Sequence, residues 1–232
     1  YITLGFSQNI AEIINSFMPK PNCKIHYNVA LTSQAAHTFD ITLVVNQPNP
    51  KGETLSLPAW IPGSYMIRDF AKNISTLHAH DGHNNSLAVT KLDKQTWQIE
   101  PCATPVTIQY QVYAYDLSVR GAYINDEYAF FNGTNMFLAV KGQTHFPHSV
   151  NIQQPKLANT GHWQVATTLP SNHPLSHQFG QYWADNYDEL IDHPVLIGEF
   201  DTIPFNTGGV EFELILAGGH QADTKRIQKD LS

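Results

Sequence analysis

The sequence predicts an all-β protein, built as an antiparallel β-sandwich or a pair of saddle-shaped sheets. Apolar and polar residues alternate with a period of two along most of the chain, and turn-forming clusters separate the alternating stretches. Helical periodicity is confined to short stretches. About a dozen short strands with almost no helix are typical of this class. No repeat, low-complexity segment or linker precedes Gly218, which favours one β domain over residues 21–218.

The first half of the chain supplies the clearest strand patterns. The alternation starts at Lys24, and a cluster of turn-forming residues at 46–52 ends the second strand. Asp81-Gly82 lies between two alternating runs and predicts a hairpin. The strands predicted in this half are 24–31, 38–45, 74–79, 87–92, 96–100 and 106–115.

The second half continues the pattern and ends differently. Its predicted strands are 127–131, 135–140, 150–153, 163–167, 195–205 and 210–216. Residues 184–191 predict one short helix, and Asp223 predicts the cap of another that runs to the end of the sequence. This last helix has no apolar partner face of its own. We therefore expect residues 219–232 to begin a linker or helix that leads into a further domain.

The first 20 residues differ from the rest. Ile10, Ile13, Ile14 and Phe17 recur at helical spacing, which predicts a short amphipathic helix. The stretch lacks the positive start and the small-residue cleavage site of a signal peptide, so a cytoplasmic location is favoured, although the compartment stays open. We expect residues 1–20 to be an extension outside the β domain.

Composition excludes several classes of partner. The 232 residues include 42% hydrophobic residues, enough for a sizeable core. The formal charge of −7 provides no basic field for nucleic acid or anionic lipid. No apolar run approaches the roughly 20 residues of a membrane span. Two cysteines are too few for a disulfide framework.

The chain is organised around residues 57–70, LPAWIPGSYMIRDF. Pro62-Gly63 predicts a type II turn, because proline presets the second turn position and glycine accepts the positive φ of the third. Trp60, Tyr65 and an Arg68-Asp69 pair surround this turn. From physics alone, we expect a strand-turn-strand corner that plugs the core of a β domain.

This stretch, W-x-P-G-S-Y-x-I-R-D-F, resembles the signature of the N-terminal domain of the glycyl aminopeptidase family of zinc metallopeptidases. Further blocks that support the resemblance are 115–123, 130–134 and 192–195. The resemblance implies a bacterial or archaeal protein in which a β-rich N-terminal domain precedes a helical catalytic domain and, commonly, a PDZ domain. It also implies that the parent enzyme uses a zinc-bound water to remove small N-terminal residues, such as glycine or alanine, from peptides.

The hydrolytic centre of such an enzyme is absent from this sequence. A zinc peptidase of this type needs H-E-x-x-H on one helical face. None of the twelve histidines here is followed by glutamate. His78, His80 and His83 form the densest histidine cluster, but a solvated hairpin tip is favoured there over a three-ligand metal site. We expect no catalytic residue and no metal in this chain, and zinc only in the parent's catalytic domain.

Asn132-Gly133-Thr134 is the candidate functional segment. It lies between two aromatic-rich stretches that would hold its polar edge rigidly. In related zinc aminopeptidases an N-domain loop binds the N-terminal residue of the substrate, and the order of segments here is similar. The resemblance therefore implies that these residues, with Tyr123, line the mouth of the parent's substrate cleft. A plain hairpin turn is the alternative.

The structural signature predicted beside this segment comprises Trp60, Pro62, Gly63, Tyr65, Arg68, Asp69 and Arg120. For the two arginines, burial in pairs with Asp69, Asp116 or Asp126 is favoured, and the alternative is that they face the catalytic domain. By this resemblance, the partners of the chain are its own catalytic domain and a peptide substrate.

A second function class stays open. It is a free-standing β-sandwich that binds carbohydrate or peptide through surface aromatic side chains. The candidate residues for this function are Trp97, Trp163, Tyr182 and Trp183. Packing in the core is the other interpretation of these residues.

Overall fold

A computed structural model describes residues 22–61, 63–173 and 175–232, and the backbone of residues 3–8. The strands among these residues are β1 (Thr3–Gln8), β2 (Ile25–Ser33), β3 (Thr38–Val45), β4 (Thr54–Ser56), β5 (Ile74–His80), β6 (Ser86–Leu87), β7 (Val89–Lys91), β8 (Thr96–Ile99), β9 (Val106–Tyr113), β10 (Ala122–Ile124), β11 (Tyr128–Phe131), β12 (Ala139–Val140), β13 (His148–Ile152), β14 (Gln164–Thr167), β15 (Gly180–Ala184), β16 (Val195–Gly198), β17 (Phe200–Thr207) and β18 (Val210–Ala217). The helices are α1 (Gly133–Met136), α2 (Tyr187–Asp192), α3 (Thr224–Leu231) and a 3-10 helix at Phe70–Asn73.

The strands form four sheets. The largest has seven strands in the order β15-β13-β2-β3-β9-β5-β6. Its pairs are antiparallel except for β13 and β2, which run parallel. Two sheets have four strands, in the orders β10-β11-β16-β14 and β12-β4-β8-β7, and a three-stranded sheet has the order β1-β18-β17. The predicted all-β, largely antiparallel class is confirmed.

The seven-stranded sheet buries one face because its strands alternate. In β3, Phe39, Ile41 and Leu43 are buried, whereas Asp40 and Thr42 lie on the partly exposed face. This is the period of two that a half-buried strand requires. The buried face packs against side chains of both four-stranded sheets in one continuous core.

The sheet β10-β11-β16-β14 is a middle layer that is buried on both faces. Phe131 and Ile197 belong to the main core, whereas their neighbours Phe130 and Leu196 pack against Ile215 of β18. All four residues of β16 are consequently buried. A strand covered on both sides has an unbroken apolar sequence, as Val-Leu-Ile-Gly shows here.

The predicted strand at 135–140 is wrong. Residues 133–136 form α1, and the N–H of Phe137 donates to the carbonyl of Gly133 at 2.9 Å, which closes a helical turn. Only Ala139–Val140 is extended and pairs with β4. Residues 133–140 are all buried, so the pattern of buried and exposed residues has no period that would distinguish a helix from a strand there.

Both ends of the sequence gain partners in the fold. Strand β1, within the stretch predicted as an extension, pairs antiparallel with β18, and the helix predicted over 10–17 lies outside the described residues. Asp223 caps α3 as predicted, by accepting from the N–H of Arg226 at 3.0 Å. The expectation that α3 lacks a partner face is wrong, since α3 contacts β17 and Ile227 packs against the cluster of Ile203, Leu214 and Leu216. The boundaries of the domains stay predictions.

Two further findings concern helices and cysteines. None of the helices described is both long and apolar enough to cross a membrane. In the described part of the chain, Cys23 and Cys102 are not joined by a disulfide.

Candidate functional site

The signature stretch forms a tight loop between β4 and the 3-10 helix. The N–H of Ser64 donates to the carbonyl of Ile61 at 3.1 Å, and Gly63 has a φ of 78°. This is the geometry predicted for the third position of a type II turn, although Pro62 itself lies outside the described residues. The indole N–H of Trp60 donates to the carbonyl of Ser64, and the N–H of Arg68 donates to that of Ala59 at 2.8 Å. The loop is therefore closed at its base and across its tip.

Most large apolar side chains of this loop point outward, contrary to the expected plug in the core, whereas Leu57 is buried and Ile61 packs against the core. Trp60, Met66 and Ile67 are exposed, and Tyr65 is fully exposed. Of the aromatic residues in the stretch, only Phe70 is buried. The chain returns to the core at the 3-10 helix, where Phe70 and Ala71 are buried.

The two arginines of the signature are not paired as predicted. Asp69 forms an ion pair with Lys94 at 3.0 Å instead. Among the described residues, no carboxylate lies within 4.0 Å of the guanidinium of Arg68 or Arg120. The Nε atom of Arg68 is buried without a hydrogen-bond partner in that same set of residues.

Residues 116–121 form a second loop. The Asp116 carboxylate accepts from the N–H of Ser118 at 2.9 Å, and the N–H of Gly121 donates to the Ser118 carbonyl at 2.8 Å. A Cβ on Gly121 would lie 2.8 Å from Asp116, so this position requires glycine. Leu117 and Val119 are exposed at the tip. The loop is thus a fixed turn that displays two apolar side chains.

The candidate segment lies beneath this second loop. The side-chain amide of Asn132 donates to the carbonyl of Val119 at 2.7 Å, and that of Asn135 donates to the carbonyl of Arg120 at 2.9 Å. Asn132, Thr134 and Asn135 are buried. The alternative of a plain hairpin turn is wrong, because this segment starts α1 and β11 does not pair with β12.

Gly133 fixes where α1 lies. A Cβ at this position would come within 2.6 Å of the Cα of Ile191 and 2.9 Å of the carbonyl oxygen of Leu190. Both atoms belong to the backbone of α2, so the two helices approach as closely as glycine allows. The other side of α1 contacts the 3-10 helix at Phe70–Asn73. Through this contact and the asparagine amides, both loops are anchored on α1.

Three buried tyrosines, which sequence analysis missed, fix the chain directly after α1. The hydroxyl of Tyr110 donates to the carbonyl of Met136 at 2.7 Å, that of Tyr187 to Phe137 at 2.6 Å, and that of Tyr27 to Leu138 at 2.7 Å. Burial raises the pKa of each of these hydroxyls above its usual value. They stay protonated donors at any physiological pH. No local sequence signal identifies them, since each partner is at least 26 residues away.

Tyr123 belongs to a row of aromatic rings. It stacks on Tyr115 with ring centroids 5.4 Å apart, and it contacts Tyr128 at 5.6 Å. Tyr115 in turn lies 4.0 Å from the ring of His37. Burial, with a smaller effect of Tyr115, raises the pKa of Tyr123. Tyr123 is itself buried and Tyr115 is exposed, so the row runs from the core to the surface beside the second loop.

Comparison with known proteins gives this site a context. The sequence matches the family model described as the peptidase M61 N-terminal domain over residues 26–199, a range that contains all the motif blocks. The chain belongs to this family. The solved structure of an aminopeptidase N family protein from Idiomarina loihiensis is 43% identical, with a TM-score of 0.84 over 89% of this chain. The match spans 35% of that longer chain. No curated protein sequence matches.

The M61 domain has a cavity elsewhere, at the junction of β17 with the middle layer. It measures about 440 Å³, and its charged lining consists of Asp126, Glu127, His162, Glu199, Asp201 and His220. Two of these histidines are paired with acids, His162 with Glu199 at 3.0 Å and His220 with Asp201 at 3.2 Å. Of the residues considered in the sequence analysis, Asp126, a candidate arginine partner, and Trp163, a candidate surface aromatic, line this cavity.

Metal-ligand geometry is not found in the described ranges of the M61 domain. No group of three or more His, Cys, Asp or Glu side chains there comes together as a metal site. The cluster of His78, His80 and His83 forms the predicted hairpin between β5 and β6, where the Asp81 carboxylate accepts from the N–H groups of His83 and Asn85 at 2.8 Å.

The aromatic residues considered for a carbohydrate or peptide surface are not at the surface of the M61 domain. Trp97, Trp163, Tyr182 and Trp183 are all buried. The surface interpretation is therefore wrong, and the alternative of packing in the core holds for Trp97, Trp163 and Tyr182, which belong to the main core. Among the residues whose burial is described, the exposed Trp, Tyr and Phe side chains are instead Trp60, Tyr65, Tyr113 and Tyr115.

Proposed function

We propose that this chain is the non-catalytic N-terminal domain of a zinc metallo-aminopeptidase, in which it forms one wall of the substrate cleft and supports the catalytic domain. The observation that carries the proposal is the match to the M61 N-terminal domain over residues 26–199. The match covers 35% of the Idiomarina chain. This supports the proposal, because the remainder of a longer protein of that kind leaves room for a catalytic domain.

The residues of this chain do not fit a catalytic zinc ion. The sequence contains no H-E-x-x-H, and the described residues bring no three ligand side chains together. The proposal therefore places zinc, and the water that it activates, in the catalytic domain of the longer protein. The M61 domain contributes shape and positioning to that reaction.

Asn132, Gly133, Thr134 and Tyr123 are proposed to reach the cleft through the loop that they support. All four are buried; Asn132 donates to the carbonyl of Val119, and Tyr123 stacks on Tyr115 directly before the loop, so we place these residues behind the loop rather than in contact with substrate. A loop fixed in this way can orient the N-terminus of a bound peptide without rearranging. The proposed substrates are peptides that begin with a small residue, glycine or alanine.

The test uses the longer protein and the 232-residue chain side by side. We expect the longer protein to release glycine and alanine from chromogenic amides faster than leucine, to lose this activity with a chelator and to regain it with zinc. The 232-residue chain is expected to be inactive with every substrate. Hydrolysis by the 232-residue chain alone would overturn the proposal. So would peptidase activity of the longer protein that persists in the presence of a chelator.

A further inference from the structure

The exposed apolar side chains of this chain are concentrated in two loops. Eleven large hydrophobic side chains are exposed among the described residues, and six of them lie in residues 60–67 and 117–119. These six are Trp60, Tyr65, Met66, Ile67, Leu117 and Val119, and we name them the docking surface. A soluble domain rarely gathers large apolar groups in this way unless another protein surface covers them.

The two loops are held rigidly, which is the second observation. The first is closed by the type II turn, the Trp60 indole and the Arg68 amide. The second is clamped by the side chains of Asn132 and Asn135. A surface that is ordered before it binds loses little conformational entropy on binding. Such support is expected for an interface and has no evident use for a loop that only faces solvent.

Unpaired positive charge on the same loops is the third observation. The sequence has three arginines in a protein of net charge −7, and Arg226 pairs with Asp230 at 3.5 Å. The other two, Arg68 and Arg120, are the ones without a carboxylate partner among the described residues. Arginine favours buried ion pairs at interfaces because its planar group binds a carboxylate through two hydrogen bonds.

We infer that the docking surface binds the remainder of the longer protein, through an apolar patch flanked by carboxylates that pair with Arg68 and Arg120. This inference rests on the proposed function, because that function supplies the occupant. The occupant is the part of the chain that corresponds to the 65% of the Idiomarina structure that this sequence does not match, calculated as 100 − 35. The surface of this occupant is expected to have an apolar centre, which contacts the docking surface, and carboxylates around it, which pair with Arg68 and Arg120.

Hydrogen exchange tests the surface directly. Backbone amides of residues 63–69 and 116–121 are compared in the 232-residue chain and in the longer protein. We expect exchange there to slow by about tenfold or more in the longer protein, because docking suppresses local opening. Residues 82–85, at the exposed hairpin tip between β5 and β6, serve as the internal control and should not change. Equal exchange of both loops in the two proteins would overturn the inference.

Matched variants of the longer protein separate docking from folding. Ile67→Ser and Leu117→Ser remove apolar groups of the surface, and Leu175→Ser is the control, since Leu175 and Ile67 are both 68% exposed. We expect the first two to restore fast exchange in both loops and to lower the unfolding temperature of the longer protein only. The control should do neither. An identical effect of all three variants would contradict the inference.

Two other outcomes are informative. If the 232-residue chain sediments as a dimer that Ile67→Ser dissociates, a second copy occupies the surface and our assignment of the occupant is overturned. Peptidase activity measured on the same samples distinguishes the inference from the proposed function. Activity without loop protection overturns the docking surface alone, whereas protection without activity supports the surface and overturns the proposed function.

Discussion

The side-chain amide of Asn132 donates to the carbonyl oxygen of Val119 at 2.7 Å and so connects the start of α1 to the loop above it. Asn135, one turn later, makes the equivalent bond to Arg120 at 2.9 Å. The other hydrogen bonds found for residues 116–121 in the described part of the chain lie within the loop or join Asp116 to Ala122. The position of its exposed tip is therefore set by two asparagines that solvent hardly reaches.

Replacing Asn132 by alanine is expected to release one side of that loop. The carbonyl of Val119 loses its side-chain donor, which costs about 0.5–1.5 kcal/mol in the free energy of unfolding of the 232-residue chain. In the longer protein we expect KM for glycine amides to rise or kcat to fall, because the loop no longer orients the substrate. Urea unfolding and steady-state kinetics measure the two effects.

Asn151→Ala is the matched control for this substitution. It removes a side-chain bond of the same 2.7 Å length, to Asn28, between β13 and β2 and away from the loop. It should cost stability without changing KM or kcat. Unchanged kinetics in Asn132→Ala would remove the role of this segment at the cleft.

Gly133→Ala is expected to push α1 away from α2. The added Cβ meets the backbone of Ile191 at 2.6 Å and of Leu190 at 2.9 Å, and backbone atoms cannot rotate aside. Overpacking of this kind costs about 1–3 kcal/mol. Thermal and urea unfolding of the 232-residue chain measure the loss. Gly161→Ala is the control, because nothing lies within 4 Å of the position that its added Cβ would take. Equal free energies of unfolding in the two variants would contradict the close contact between α1 and α2.

The sequence alone predicts those strands that bury one face along their whole length and expose the other. Strand β3 is predictable because Phe39, Ile41 and Leu43 alternate with polar residues. Helix α1 is not predictable in this way, since residues 133–136 are all buried and leave no period to detect. The glycine that seats it depends on Ile191, 58 positions later, which no local pattern reveals.

The candidate site shows the same division. The positive φ of Gly63 depends on the turn's own residues and was predicted, whereas the exposure of Tyr65 and Ile67 depends on the surroundings of the turn. Apolar residues near a turn predict burial in an isolated domain. Trp60, Tyr65, Met66 and Ile67 break that expectation, because nothing in the local pattern distinguishes an exposed apolar side chain from a buried one.

Tyr110→Phe tests the tyrosine support beneath α1. The hydroxyl of Tyr110 donates to the carbonyl of Met136 and accepts from the N–H of Leu138 at 3.3 Å, so its removal leaves two buried backbone groups without this partner. We expect the free energy of unfolding to fall by about 1–3 kcal/mol. Tyr113→Phe, at an exposed position of the same strand, should be neutral. Comparable losses in both variants, measured by urea unfolding, would show that the buried bond is not the cause.

His148 is expected to make the stability of the chain fall as the pH is lowered. It is fully buried between the rings of Tyr27 and Tyr187, and burial lowers its pKa from 6.5 to about 4. Between these values the unfolded chain binds a proton that the folded chain does not. Protonation of His148 therefore has no effect on the free energy of unfolding well above pH 6.5. Between pH 6.5 and pH 4 it lowers the free energy of unfolding, by about 3 kcal/mol in total.

The measurement compares urea unfolding at pH 7 and pH 4.5 in the unmodified chain and in His148→Phe, which keeps a ring between the two tyrosines. The variant loses the bond from Nδ1 to the Phe146 carbonyl, so it is expected to be less stable at pH 7 but to show a smaller drop on acidification. His83→Gln, at the exposed hairpin tip, should keep the full drop. A histidine resonance of His148 that titrates near pH 6.5 by NMR, or equal drops in all three chains, would show that burial does not hold this imidazole neutral.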